Sequence, residues 1–175
     1  GIAHTRWATH GQPNEINAHP HMSGKVAIVH NGIIENFREL RDELQADGRS
    51  FESETDSEVI AQLIDKNMND GMDAVDAFEA ALKKLSGAFA IAAIFADDTD
   101  LLIGARKGSP LVLGYGEGEM FLGSDAIALA PFTRDVTYLE EGDWVVLTPD
   151  SHDIRNVDGE RVNRPRVQSA VNESL

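Results

Sequence analysis

Apolar residues in the first half of the chain recur with the spacing of helices. A first amphipathic helix is predicted over 36–48, with Asn36 as its N-cap and a glycine at its end. A second helix is predicted to begin near Thr55 or Asp56, where Glu58 follows Thr55 by three residues as in a capping box. A third apolar stripe covers 75–85. These patterns predict three consecutive helices.

The second half alternates short apolar runs with glycine-rich turns, a pattern typical of strands. Residues 88–96 form a continuous apolar run, which predicts a central strand buried on both faces. Further strands are predicted at 101–105, 111–115, 120–123, 136–139 and 143–147. Parallel neighbours need crossovers of a dozen or more residues, so these short connections indicate antiparallel pairing. Helices followed by strands predict an α+β domain in which helices cover the sheet.

One apolar run in the first half also has the character of a strand. It spans about 25–30, is rich in β-branched residues and stops at His30-Asn31-Gly32, after a predicted loop over 12–24. Because Asn-Gly is a strong turn signal, the simplest interpretation is a strand that ends in a turn. The pair also has chemical potential, since the Asn31 amide and the unhindered Gly32 N–H together offer donors for an oxyanion.

Composition and charge narrow the class of protein. A chain of 175 residues is expected to form one domain with a substantial core. It contains no cysteine, which excludes disulfides, thiolate metal sites and a cysteine nucleophile within this chain. The net charge of −15 disfavours nucleic acid and anionic membranes as partners. There is no long apolar run or signal-peptide pattern, so a cytoplasmic location is expected.

Five further residues are candidates for a binding site. Arg6 offers a bidentate clamp for a carboxylate, although a surface ion pair is the alternative. Asp56, in the first turn of a predicted helix, either pairs with an ammonium group or only interacts with the helix dipole. Trp7, Thr9 and His10 have equally ordinary roles in a core or loop. A carboxylate clamp, an ammonium partner and an oxyanion hole together describe a pocket for an α-amino acid whose side-chain carbonyl is attacked.

Two other motifs receive ordinary interpretations. The two histidines of 19–21 have no acidic residue at ligand spacing, so we expect no metal site there. The glycines of 114–118 connect two short strands, whereas a phosphate-binding loop is followed by a helix. A tight turn is therefore predicted at 114–118.

Five blocks of the chain resemble, in order and spacing, the glutaminase domain of the glucosamine-6-phosphate synthase family, the isomerizing glutamine:fructose-6-phosphate aminotransferases. These blocks are 5–11, 17–21, 30–36, 53–59 and 108–112. Other class II glutamine amidotransferases resemble the chain more loosely, typically with Arg-Tyr-Ser in place of Arg6-Trp7-Ala8. The resemblance implies an N-terminal-nucleophile hydrolase fold, which is a four-layer αββα sandwich.

The resemblance also implies a role for each candidate residue. In that family the residue matching Arg6 holds the glutamine carboxylate, and the residue matching Asp56 holds its ammonium group. The residues matching Asn31 and Gly32 form the oxyanion hole. The residue matching Trp7 gates the route for ammonia, and those matching Thr9 and His10 line the glutamine site. No metal or cofactor is expected. The implied reaction releases ammonia from L-glutamine and transfers it to fructose 6-phosphate.

The chain departs from the family at the nucleophile, which in the family is a cysteine at the mature N-terminus. Here residue 1 is Gly, so we expect a segment cut at both ends and inactive alone. Residues 1–155 would be the glutaminase domain without its first strands, and 156–175 an edge strand and linker towards isomerase domains of a homo-oligomer. Alternatives are another class II amidotransferase, or a non-catalytic glutamine-binding module.

Overall fold

A computed structural model of the chain describes residue 2 and residues 20–170. Within these residues the helices are α1 (Phe37–Ala46), α2 (Asp56–Asn69), α3 (Ala74–Lys84) and the short α4 (Ala126–Leu129). The strands are β1 (His21–Ser23), β2 (Val26–Ile34), β3 (Gly87–Phe95), β4 (Asp98–Lys107), β5 (Val112–Tyr115), β6 (Met120–Gly123), β7 (Asp135–Tyr138), β8 (Trp144–Thr148), β9 (Ser151–Arg155) and β10 (Val167–Gln168).

The three long helices lie where the apolar periodicity predicts them, and Asn36 and Thr55 occupy the N-cap positions of α1 and α2, but neither side chain caps its helix. Thr55 is the N-cap of α2, yet its hydroxyl contacts His21 rather than the helix backbone, so no capping box forms. Asn36 is the N-cap residue of α1, but its side chain makes no hydrogen bond to the first turn of that helix. Its amide instead donates to the carbonyl of Lys84 and accepts the N–H of Ser86, which ties α1 to the end of α3. Long-range partners therefore replace local caps.

The strands form two antiparallel sheets, as the short connections predict. A six-stranded sheet has the order β1-β2-β3-β4-β8-β9, and a four-stranded sheet has the order β10-β7-β5-β6. The predicted turn between β5 and β6 is confirmed, since the Gly116 N–H donates to the carbonyl of Glu119. The predicted loop over 12–24 is wrong at its end, because β1 pairs with β2 around the Gly24 turn. Neither β9 nor α4 was predicted.

The alternation of residues along each strand defines the layers. Phe89 and Ile91 of β3 face one way and pack with the apolar residues of α1, α2 and α3. Ala90, between them, faces the other way and packs with Leu113 of β5. On the far side of the four-stranded sheet, Val112 packs with Leu129 of α4. The described elements therefore stack as helices, six-stranded sheet, four-stranded sheet and α4, and the expectation of a mixed α and β domain is confirmed.

The strand that carries Asn31 continues beyond the predicted turn. β2 remains paired with β3 through Asn31, Gly32 and Ile33, ending where Ile34 lies opposite Gly87. The prediction that this strand stops at His30 is therefore wrong. A full-length partner strand supplies the pairing that holds the Asn-Gly step in the ladder, whereas the local turn signal is only a preference.

Residues 156–170 cross from one sheet to the other. The Val162 N–H donates to the carbonyl of Ile154 in β9, at the edge of the six-stranded sheet. Further on, β10 pairs with β7 at the edge of the four-stranded sheet. Between these points, the Arg164 guanidinium binds the buried carboxylate of Asp143. β10 lies at the edge of the four-stranded sheet.

Candidate active site

Gly32 occupies a position in β2 that only glycine fits. Its φ is +96°, a conformation that L side chains rarely adopt. A Cβ at this position would lie 2.1 Å from the carbonyl oxygen of Ala88 on β3. The lack of a side chain therefore allows the backbone of β3 to pack closely against Gly32, which any larger residue would prevent.

Asn31 lies beside Gly32 and faces the second sheet. Its Cα partner across the ladder is Ala90, whose side chain packs between the sheets. Asn31 and Ala90 line a cavity of about 520 Å³, together with Leu111 and Leu122 from the side of the four-stranded sheet. An amide at the wall of a cavity of this size is placed to donate to a small ligand.

Asp56 is the first residue of α2 and is buried against the same strand. Its Oδ2 accepts the N–H of Ile34 at 2.8 Å, two residues beyond Gly32. The helix N-terminus favours the negative charge of this carboxylate. A carboxylate has about four acceptor positions, so Asp56 retains capacity for a second donor such as an ammonium group. The structure therefore brings Asp56 to the strand that carries Asn31 and Gly32.

A buried glutamate holds the loop that leads into α2. Both oxygens of Glu58 accept the N–H of Glu52, and Oε1 accepts the N–H of Ser53 at 2.6 Å. Gln62, one turn further on, donates to the carbonyl of Ser50 and to Glu58. Because charge-assisted hydrogen bonds of this kind are strong, they fix the approach of the chain to Asp56.

Two hydroxyl groups flank Asp56 and reach two histidines of the neighbouring strands. Thr55 Oγ1 and His21 Nε2 of β1 are 3.1 Å apart, and Ser57 Oγ and His30 Nδ1 of β2 are 2.8 Å apart. All four residues are buried. Sequence reasoning assigned none of them to this layer. The available signal was the run of hydroxyl residues around Asp56, which a plain solvated helix start does not require.

The remaining predicted site residues, Arg6, Trp7, Thr9 and His10, lie outside the described residues. Within residue 2 and residues 20–170, no group of three or more histidine and acidic side chains is arranged to hold a metal ion. In the same residues, no helix has the length and apolar character needed to cross a membrane.

Sequence comparison assigns a family to this arrangement. A model of the glutamine amidotransferase domain matches residues 4–131. The chain therefore belongs to the glutamine amidotransferase family, as a class II domain.

Individual relatives are more informative about the kind of amidotransferase that the chain resembles. The chain is 62% identical to the isomerizing glutamine–fructose-6-phosphate aminotransferase of Mesorhizobium japonicum, over 97% of this chain and 28% of that protein. Identity to the Zymomonas mobilis enzyme of the same name is 60%, over 98% of this chain and 28% of that protein. The chain thus spans little more than a quarter of these relatives.

A solved structure shows a similar fold. Glutamine phosphoribosylpyrophosphate amidotransferase from B. subtilis, complexed with ADP and GMP, superimposes with a TM-score of 0.70 at 25% identity. The match covers 87% of this chain and 34% of the other. The resemblance found in the sequence is therefore confirmed, with a mixed α and β fold like that of an amidotransferase.

Proposed function

We propose that this chain is the glutaminase domain of an isomerizing glutamine:fructose-6-phosphate aminotransferase. The observation that carries the proposal is the Asn31–Gly32 step, in which Gly32 has a positive φ, on a strand whose Ile34 N–H is bound by the buried Asp56. The high identity to aminotransferases of that name over nearly the whole chain supports it. The layered sheets fit an N-terminal-nucleophile hydrolase of the αββα type.

In the proposed reaction, a thiolate attacks the side-chain carboxamide carbon of L-glutamine. The carbonyl oxygen becomes an oxyanion, which the Asn31 amide and the Gly32 N–H stabilise. Collapse of the intermediate breaks the C–N bond, the nitrogen takes a proton and leaves as ammonia, and a thioester remains. Water then cleaves the thioester to release glutamate and the thiol. The chain has no cysteine, so the thiol comes from outside these 175 residues.

Glutamine is held at its other end by two charged groups in this proposal. Asp56 accepts from the ammonium group, and Arg6 clamps the α-carboxylate in a bidentate manner. Thr9 and His10 line the same pocket, and Trp7 controls the route by which ammonia leaves. Recognition of both charged groups selects an α-amino acid and places its carboxamide at the oxyanion donors.

The remaining assignments concern the longer protein. Residues 1–155 form the glutaminase domain, and 156–175 lead towards isomerase domains that bind fructose 6-phosphate. The whole enzyme is a cytoplasmic homo-oligomer that needs no cofactor. A second candidate is a glutamine-binding module without catalysis, which the absence of cysteine favours for the chain by itself.

Two assays distinguish these functions. Full-length enzyme is given L-glutamine, with and without fructose 6-phosphate, and glutamate, ammonia and amino sugar are measured. Equimolar glutamate and glucosamine 6-phosphate are expected. The 175-residue chain alone is expected to release no ammonia. Glutamate without amino sugar would redirect the proposal to another acceptor, and glutamine binding without hydrolysis in the full-length protein would favour the binding module.

A further inference from the structure

The N-terminal turn of α2 contacts β2 on both sides of Gly32. Ser57 Oγ is 2.8 Å from His30 Nδ1, two residues before Gly32. Asp56 Oδ2 accepts the N–H of Ile34, two residues after it. Consecutive residues of one helix thus hold the strand at two points that flank the Asn31–Gly32 step.

The flanked step needs external support. At Gly32 the backbone departs from ordinary strand geometry, and glycine has no side chain to restrict its conformation. Oxyanion donors are effective only when their positions are fixed before charge develops. A contact that fixes β2 immediately before Asn31 therefore has a catalytic consequence without touching the ligand.

His30 is suited to provide that contact from behind. Neighbouring residues of a strand point to opposite faces, and the His30 side chain reaches Ser57 of α2, so Asn31 points away from the helices. Both residues line the cavity between the sheets. The exposed fraction is 3% for His30 and 2% for Ser57. The hydrogen bond is thus shielded from competing water, which strengthens its hold on the strand.

We propose that Ser57 is a positioning residue that acts through His30 to fix the Asn31 and Gly32 donors. This inference rests on the proposed function for its catalytic consequence, but its structural part is independent of that function. Asp56 shares the support of β2, yet it is also assigned to substrate binding. Ser57 therefore isolates positioning from binding.

The chain offers a matched control in the second sheet. Thr137 and Tyr115 share a hydroxyl–hydroxyl hydrogen bond of 2.8 Å, and both residues are buried. Thr137→Val removes one partner of a buried bond, as Ser57→Ala does, at a site that is not on β2. The two variants are expected to lose comparable stability, so a difference between them reports on position rather than on folding.

The first test uses amide resonances of the 175-residue chain. In Ser57→Ala we expect the Asn31 and Gly32 amide signals to shift and broaden, while Thr137→Val leaves both in place. Unchanged Asn31 and Gly32 signals in Ser57→Ala would overturn the positioning role. Equal changes in both variants would also overturn it, because they would indicate a general loosening.

The second test uses the full-length enzyme and glutamine kinetics. Ser57→Ala should lower kcat about tenfold with little change in KM, since small misplacements of donors are costly. Thr137→Val should leave kcat unchanged, and Ser57→Thr, which keeps the hydroxyl, should restore most of it. Equal kcat losses in Ser57→Ala and Thr137→Val would contradict the proposal.

A second pair of variants covers the case in which Ser57→Ala fails to fold. His30→Asn retains a hydrogen-bonding group near the position of Nδ1, whereas His30→Ala does not. We expect His30→Asn to keep kcat and His30→Ala to lower it; equal loss in both would refute the role. Should the amides respond while the wild-type enzyme leaves glutamine intact, the proposed function falls and the positioning of Asn31 by Ser57 stands.

Discussion

The N-terminal turn of α2 and the C-terminal segment 156–170 both tie distant parts of the chain to a sheet, but with different contacts. At α2, a buried carboxylate and two hydroxyls contact β1 and β2, and within residues 20–170 none of the three is paired with an arginine or lysine. In the C-terminal segment, Arg164 and Arg166 bind carboxylates. The first kind of contact leaves Asp56 with acceptor capacity for a ligand, whereas the second neutralises its carboxylates within the protein. The α2 turn is thus suited to binding and positioning, and the C-terminal segment to stability.

Removal of Arg164 should have the largest effect on stability. Its Nε and Nη2 donate to Asp143 at 2.8 and 2.9 Å, and the Asp143 side chain is fully buried. Arg164→Ala leaves that carboxylate without its cation, which typically costs about 3–5 kcal/mol. Urea unfolding of the 175-residue chain measures the loss.

The control is the double variant Arg164→Ala with Asp143→Asn, which removes the buried charge as well. It should be less destabilised than Arg164→Ala alone. For Arg164→Ala, kcat per folded molecule of full-length enzyme should be unchanged. A loss of kcat at full folding would break the division between positioning and stability.

Substitution of Asp56 should have the second-largest effect, and that effect should be on the affinity for glutamine. Asp56→Asn keeps an oxygen that can accept the Ile34 N–H but removes the charge that we propose pairs with the ammonium group of glutamine. Loss of a buried charge pair costs roughly 2 kcal/mol or more, so KM for glutamine should rise at least about thirtyfold. Steady-state kinetics of the full-length enzyme measure this change.

Asp56→Ala separates the two contacts of this carboxylate. It loses the bond to Ile34 as well as the charge, so it should also lower unfolding stability by about 1–3 kcal/mol. If Asp56→Asn binds glutamine as tightly as wild type, the carboxylate is only a structural support for β2.

The Arg166–Asp135 pair should make the smallest contribution. The hydrogen bonds from Arg166 hold the pKa of the Asp135 carboxyl below its usual value, against the opposing effect of partial burial. A lowered folded-state pKa stabilises the protein above the unfolded pKa of about 3.9. The benefit is lost as pH falls through the folded value. More than half of the Arg166 side chain is exposed, so solvent screens the pair and its contribution to stability is small.

Arg166→Ala should therefore reduce unfolding stability slightly at pH 7, and the difference from wild type should shrink as the solution is acidified below pH ~4. Unfolding curves at several pH values measure it. Arg161→Ala is the control, because Arg161 is still more exposed and lies 3.5 Å from Asp153. If the stability difference between Arg166→Ala and wild type grew in acid, the lowered pKa of Asp135 would be contradicted.

The sequence predicted the elements that follow from local patterning. The apolar run 88–96 predicts β3 (Gly87–Phe95), whose middle residues are buried, and the helices follow their apolar stripes. Errors arose where partners distant in sequence decide the structure. Asn31-Gly32 has a turn preference that pairing with β3 overrides, and Thr55 has a cap preference that His21 competes for.

The candidate site shows the same limit. Asp56, Asn31 and Gly32 are recognisable because their residue types carry chemistry at positions set by the resemblance. Ser57 and His30 are ordinary residue types whose importance comes from a contact across 27 positions of sequence. Arg164 is similar, since no local pattern links it to a buried carboxylate 21 residues earlier.

The most direct test of the central claim is the turnover of glutamine by full-length enzyme carrying Asn31→Ala. Asn31 is exposed and lines the cavity, so the substitution removes the proposed oxyanion donor with little disturbance of the core. We predict that kcat falls by about 10²- to 10³-fold while KM for glutamine changes little. A kcat equal to that of wild type would contradict the role of β2 as the oxyanion-stabilising element.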